Sequence, residues 1–201
     1  MPRIKVCGLT RAEDVELAVN LGADFLGFVL APSPRSVEVS QLEALVAPVP
    51  ASVLTVGVVV NAQREQVDRL LEVVDRVQFH GHETPDFCAR YGRRGIKAFR
   101  IRAVEDLNSL EAYAQTVGAF LLDSFKEGVA GGTGQTFPWG YLRERSFSRP
   151  TFLAGGLNSS NLRQAVQLPQ LEGVDVSSGL EKAPGVKDAD LMKQFFAVVR
   201  E

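Results

Sequence analysis

The sequence predicts a closed (β/α)8 barrel, and three observations carry that expectation. Eight short runs of apolar and often β-branched residues recur along the 201 residues. Segments with helical periodicity lie between them, and alternating strand and helix means parallel strands joined by right-handed crossovers. The runs are near-continuously apolar, as strands buried on both faces must be. An open doubly wound sheet has about six strands and needs no eighth. The length is near the lower end for a barrel, roughly 200 residues, so most loops must be short. With no linker and no break in composition, residues 1–201 are expected to form one barrel domain.

The elements follow in order. The first run is 3–6, and the amphipathic stretch 12–20 comes after it. The second run, 25–30, leads to a proline-flanked loop, and the third is 53–60. Helical periodicity returns at 65–73, before the fourth run at 76–79. The fifth run, 96–101, leads into 104–114, where Val104, Leu107, Leu110 and Ala114 mark one helical face. The sixth run, 119–122, opens the longest irregular stretch, the glycine-rich 124–137. The seventh is 151–154, and the eighth, 173–176, precedes a second long irregular stretch, 177–187. Both long stretches leave the C-terminal ends of strands, the face on which barrels build active sites.

Composition narrows the function. With 45% hydrophobic and 23% charged residues, the chain is neither disordered nor collagen-like. Lys and Arg number 22 against 24 Asp and Glu, so there is no basic excess to bind a nucleic acid backbone. No apolar run approaches the ~18–20 residues of a membrane span, so no membrane partner is expected. Residues 1–8 lack a signal peptide's apolar stretch. Two cysteines, Cys7 and Cys88, make no disulfide framework, and a reducing cytoplasm is the expected setting.

Side chains alternate across a strand, so parity assigns faces. If Ile4 and Val6 meet the helices, Lys5 and Cys7 point into the barrel. The same rule turns Gln78 and His80 inward on the fourth run, Asp123 on the sixth, and Asp175 and Ser177 on the eighth. Four strand ends thus bring polar groups to one mouth. A thiol such as Cys7 serves as a base once its thiolate is stabilised, which Lys5 on the same face could do. Asp123 closes an apolar strand, a setting in which a carboxyl can act as a general acid. Cys88 reads as a small buried hydrophobe.

Three glycine clusters follow the later strands: 131–134, 154–158 and 177–179. Glycine lets backbone amides approach an anion, and barrel loops seven and eight commonly hold a phosphate. Neither a nucleotide P-loop nor a dinucleotide fingerprint occurs. His80 and His82 have no third ligand at useful spacing, so no metal is expected. Arg35, in a loop stiffened by Pro32 and Pro34, is a candidate for binding a carboxylate.

The strings Lys5-Val6-Cys7-Gly8-Leu9-Thr10, Gln78-Phe79-His80-Gly81, Leu122-Asp123-Ser124 with Gly131-Gly132-Thr133-Gly134, Leu153-Ala154-Gly155-Gly156-Leu157, and Gly173-Val174-Asp175-Val176-Ser177-Ser178-Gly179-Leu180-Glu181 together resemble the phosphoribosylanthranilate isomerase family. The resemblance spans residues 3–181 in the family's order. It implies a small (β/α)8 enzyme of tryptophan biosynthesis that uses neither metal nor organic cofactor. The implied reaction is the Amadori rearrangement of N-(5-phosphoribosyl)anthranilate, with Asp123 as general acid and Cys7 as general base. Arg35 matches the position that binds the anthranilate carboxylate, and Asp175 the one near the anthranilate amine. Gln78 and His80 match pocket-lining positions. The phosphate is expected on amides around Gly132, Gly134, Gly155, Gly156, Ser178 and Gly179. Oligomeric state is left open.

Three alternatives remain at this point. A phosphosugar epimerase would want metal-binding His and Asp at several strand ends, and these are missing. An isomerase that also accepts a histidine-pathway aminoaldose would want a second phosphate site, yet no glycine pair follows runs three or four. A non-catalytic phosphosugar-binding barrel would need neither Cys7 nor Asp123.

Overall fold

The computed structural model describes residues 1–124, 138–143 and 145–200. Eight parallel strands close on themselves in chain order. They are β1 (Arg3–Cys7), β2 (Phe25–Val29), β3 (Leu54–Val59), β4 (Arg76–Phe79), β5 (Gly92–Ile101), β6 (Val117–Ser124), β7 (Thr151–Ala154) and β8 (Gly173–Val176). β8 pairs back onto β1 with Lys5 opposite Asp175, so the barrel has no open edge. The expected barrel is the observed one. β5 begins four residues before the apolar run, because Gly92 pairs with Val117 through backbone groups that hydrophobicity does not report.

The first four strands are followed by α1 (Ala12–Leu21), α2 (Val39–Val46), α3 (Arg64–Val73) and α4 (Pro85–Ala89). β7 and β8 are followed by α5 (Leu162–Val166) and α6 (Ala189–Arg200), and α6 packs against α1 and α5 to close the outer ring. Local chemistry sets these ends. Gly22 adopts φ +86° and stops α1, with its amide donating to Ala18 and Val19 and that of Ala23 donating to Ala18. Thr84 caps α4 by accepting from the Phe87 amide, and Pro85 occupies the first turn, where no amide is needed.

Two expectations are corrected. The amphipathic stretch 104–114 forms a 3-10 helix, Val104–Tyr113, and not an α-helix. There the Ser109 hydroxyl donates to the Asp106 carbonyl at 2.7 Å, competing for an acceptor an α-helical turn would use. The stretch 177–187 is not irregular. It holds a 3-10 turn, Ser178–Leu180, and an antiparallel hairpin of β9 (Glu181–Ala183) and β10 (Val186–Lys187) turned at Gly185, φ +78°. Most of 124–137 lies outside the described residues.

Parity sorts the core into two layers, as alternation requires. Ile4, Val6, Phe28, Val77, Phe79, Phe120, Leu122, Val174 and Val176 pack outward beneath the helices. Phe25, Val56, Ile96, Ala98, Leu121, Phe152 and Ala154 fill the barrel. Phe25 and Phe152 meet edge to face at 5.3 Å within this interior layer. Among the described residues, no helix is long and apolar enough to cross a membrane.

Candidate active site

The mouth is built from strand ends. Cys7 ends β1 and is 8% exposed. Two glycines make room around it. A Cβ on Gly27, its register partner on β2, would sit 2.7 Å from Cys7 Sγ and 3.0 Å from Lys5 Nζ. Thiol and ammonium therefore share the space that glycine leaves. A Cβ on Gly8, φ +72°, would meet Arg35 Cδ at 2.7 Å and Ser177 Oγ at 2.8 Å, so this turn must be glycine for the β1, β2 and β8 loops to converge.

Beneath Cys7, Lys5 Nζ donates to Asp175 Oδ1 at 2.7 Å, with both side chains almost fully buried. Burial alone would strip the Lys5 proton, but Asp175 and the Cys7 sulfur outweigh it and hold the group above an ordinary lysine. Burial pushes the Cys7 thiol up, against the opposing pull of Lys5. Lys5 therefore stands where a thiolate needs it, while burial favours the thiol.

A second buried cation lies beside the first. Lys187 on β10 donates to the Cys7 carbonyl at 2.7 Å, the Ser177 carbonyl at 3.1 Å and Glu181 Oε1 at 2.8 Å. Burial takes it below an ordinary lysine despite Glu181. Glu181 in turn holds Arg35, accepting from Nε at 2.9 Å and Nη2 at 2.7 Å. Burial alone would raise Glu181, but Arg35 and Lys187 hold it below the usual carboxylate range. The sequence reading missed Lys187 and the role of Glu181, because their partners lie across the hairpin and on two other loops. The only signal was a charged residue at each end of an otherwise glycine-bearing loop.

Across the mouth, Asp123 on β6 is half-exposed, with Oδ2 3.2 Å from His80 Nε2. Gln78 Nε2 lies 3.3 Å from His80 Nδ1. Gly155, φ +83°, comes so close that a Cβ there would sit 2.6 Å from Asp123 Oδ1. Gly156 follows at φ +67°, and its carbonyl accepts from Asn158 and Asn161. A Cβ on Gly179 would run into the Leu157 carbonyl, so loops seven and eight touch through backbone alone. Gly155, Gly156, Ser178 and Gly179 are thus brought together, while Gly132 and Gly134 lie outside the described residues.

Two expected residues have partners that the sequence did not suggest. Asp175 is committed to Lys5, below Cys7, and Arg35 gives its Nε–Nη2 edge to Glu181. Cys88 is fully buried on α4, where burial pushes its thiol up to about 12. Among the described residues, no three His, Cys, Asp or Glu side chains group as metal ligands.

Comparison with known proteins identifies similar chains. The family model described as N-(5'phosphoribosyl)anthranilate (PRA) isomerase matches residues 4–198. A Pseudomonas putida protein named N-(5'-phosphoribosyl)anthranilate isomerase is 45% identical over 203 residues, covering 99% of this chain and 98% of that protein. The crystal structure of phosphoribosyl anthranilate isomerase from Thermotoga maritima superposes with a TM-score of 0.91 at 34% identity, covering 100% of this chain and 99% of that one. A phosphoribosyl anthranilate isomerase in complex with reduced 1-(o-carboxyphenylamino)-1-deoxyribulose 5-phosphate superposes at 0.86 with 33% identity, again over 100% and 99% of the two chains.

Proposed function

The chain belongs to the N-(5'-phosphoribosyl)anthranilate isomerase family, and from that premise we propose how its residues divide the reaction. The reaction is the Amadori rearrangement of N-(5-phosphoribosyl)anthranilate to 1-(2-carboxyphenylamino)-1-deoxyribulose 5-phosphate, a step of tryptophan biosynthesis. The observation that carries the residue assignment is that Cys7, the last residue of β1, and Asp123, the last but one of β6, sit at the C-terminal ends of their strands, each beside a glycine that keeps the space around it clear.

Asp123 gives its proton to the furanose oxygen as the bond from that oxygen to C1 breaks. The anilino nitrogen supplies the electron pair and becomes a protonated imine. Cys7, as thiolate, takes the C2 proton, and the C–H electrons form an enolamine. Ketonisation protonates C1 and releases the O2 proton. Lys5 favours the thiolate at the moment it is needed, held in place by Asp175. Arg35, oriented by Glu181, offers its remaining guanidinium edge to the ortho-carboxylate. Backbone amides around Gly155, Gly156, Ser178 and Gly179 take the phosphate. Each group contributes by position and charge, the largest sources of rate in such sites.

Anthranilate fluorescence of the phosphoribosyl adduct should change with first-order kinetics on adding purified protein, and the ketose product should accumulate. An adduct that decays no faster than without protein would overturn the reading.

A further inference from the structure

Lys187 has no task in the reaction scheme above, yet it is buried beside the candidate site at 2% exposure. An ammonium has three donors. Those of Lys187 go to three different segments: the Cys7 carbonyl at the end of β1 (2.7 Å), the Ser177 carbonyl just after β8 (3.1 Å) and Glu181 Oε1 on β9 (2.8 Å). Its backbone amide donates to Asp14 Oδ2 at 3.1 Å, and Arg11 holds the same carboxylate through Nε at 2.9 Å and Nη2 at 2.7 Å. At the turn of the hairpin, the Thr10 hydroxyl donates to the Gly185 carbonyl. Strand and turn alike fasten the hairpin to the segment after β1, and the Lys187 side chain reaches β1 itself.

A link runs through these contacts from Cys7 to Arg35. Lys187 donates to the Cys7 carbonyl at one end and to Glu181 Oε1 at the other, and Glu181 accepts from Arg35 Nε and Nη2. Arg35 also lies across Gly8, the residue after Cys7, with its Cδ 2.7 Å from where a Cβ would stand. Stability is a poor explanation for such a link, because apolar side chains of the same volume often serve a fold as well as a buried ion pair. Short charge-assisted hydrogen bonds supply geometry instead. The reaction needs one fixed distance in this place. Cys7 takes a proton from C2 of the sugar while Arg35 grips a carboxylate on the aromatic ring, and a misplacement of about 1 Å can cost about 10²-fold.

We propose that Lys187 is a positioning residue that braces Cys7 against Arg35 through Glu181, so that base and carboxylate clamp face the substrate at a fixed separation. This role rests on Cys7 being the base and Arg35 the clamp. The test is a double-mutant cycle in steady-state kinetics on the phosphoribosyl adduct of anthranilate, with Lys187→Met made in the wild type and in Arg35→Met. In the wild type, Lys187→Met should lower kcat by roughly 10–100-fold, the scale of a misplaced reacting group. In Arg35→Met the same change should cost several-fold less, because the link is already cut at its far end. Titration with the reduced product analogue counts the folded sites, so a loss of kcat per site belongs to geometry and not to unfolded chain. Glu181→Gln keeps the shape of the side chain, leaves Lys187 in place and cuts the link at its middle. It should show the same non-additivity with Arg35→Met, and it carries the test where Lys187→Met does not fold. Equal losses in the two backgrounds would overturn the brace, since Lys187 would then serve Cys7 or the fold alone. So would a rise in KM with kcat unchanged, which would confine Lys187 to Arg35. Undiminished kcat in Cys7→Ala would withdraw the base and the brace with it, a failure read from a variant that leaves Lys187 untouched.

Discussion

The two sides of the mouth are built on opposite electrostatic plans. Around Cys7, β1, β8 and the β9–β10 hairpin bury two ion pairs, Lys5–Asp175 and Lys187–Glu181. Around Asp123, β4 and β6 place an uncharged amide and an imidazole, with the His80 and Asp123 side chains 22% and 28% exposed. The difference matches the chemistry. A base that works as an anion needs cations within reach, and an acid that must arrive protonated needs none. Two titratable groups with contrasting surroundings are how one site runs acid and base chemistry together.

The strongest way to break that comparison is to remove the two groups. Cys7→Ala and Asp123→Asn should each lower kcat by at least ~10²-fold, the scale of a lost general acid or base. Binding of the reduced product analogue should change little, and Cys88→Ala should leave kcat alone. Equal losses from Cys7→Ala and Cys88→Ala would remove Cys7 from its role.

Removing the cation beneath Cys7 sharpens the ionic side. Lys5→Met leaves Asp175 buried without a partner and should cost ~3–5 kcal/mol in urea denaturation. Because burial already pushes the Cys7 thiol up, wild-type kcat/KM should rise with pH on the alkaline side, and Lys5→Met should move that rise higher. Iodoacetamide modification of Cys7 should move with it. Lys5→Met combined with Asp175→Leu should recover stability but not the reactivity of the thiol. If both recover, the pair serves only the fold.

Arg35 comes next. Arg35→Lys keeps the charge but loses the planar fork, and should weaken an ortho-carboxylate product analogue about tenfold, the scale of one charged hydrogen bond at roughly 1.5 kcal/mol. An analogue without the carboxylate should bind variant and wild type alike. Equal weakening of both would mean that Arg35 acts only through Glu181.

The smallest effect is on acid stability. Glu181 is held low by Arg35 and Lys187, and Glu83 by Lys97, in both cases against burial. Carboxylates that ionise more easily when folded stabilise the fold above the ordinary carboxylate range and lose that contribution as pH falls through their folded values. The urea midpoint should therefore hold steady above the ordinary carboxylate range and drop as pH falls below it, and Glu83→Gln should flatten the drop. An unchanged slope would show that the Lys97–Glu83 pair, 3.0 Å apart, carries none of it.

Much of this molecule could be read in one dimension. Strand parity alone turned Lys5, Cys7, Gln78, His80, Asp123 and Asp175 inward, because alternation is a property of the extended backbone itself. Apolar runs located the strands for the same reason: a strand covered on both faces must be apolar throughout. What folding alone decided is who meets whom. Lys5 and Asp175 are 170 residues apart in sequence, as are the ends of the Arg35–Glu181–Lys187 chain on a comparable scale, and barrel closure makes them neighbours. The protonation balance of the mouth depends on such pairings, since a charge is set by the groups within a few ångströms and not by the residues beside it in the chain. The sequence supplied Cys7, Asp123 and the face they share. Closure of β8 onto β1 supplied Asp175, the buried partner that keeps Lys5 charged beside Cys7.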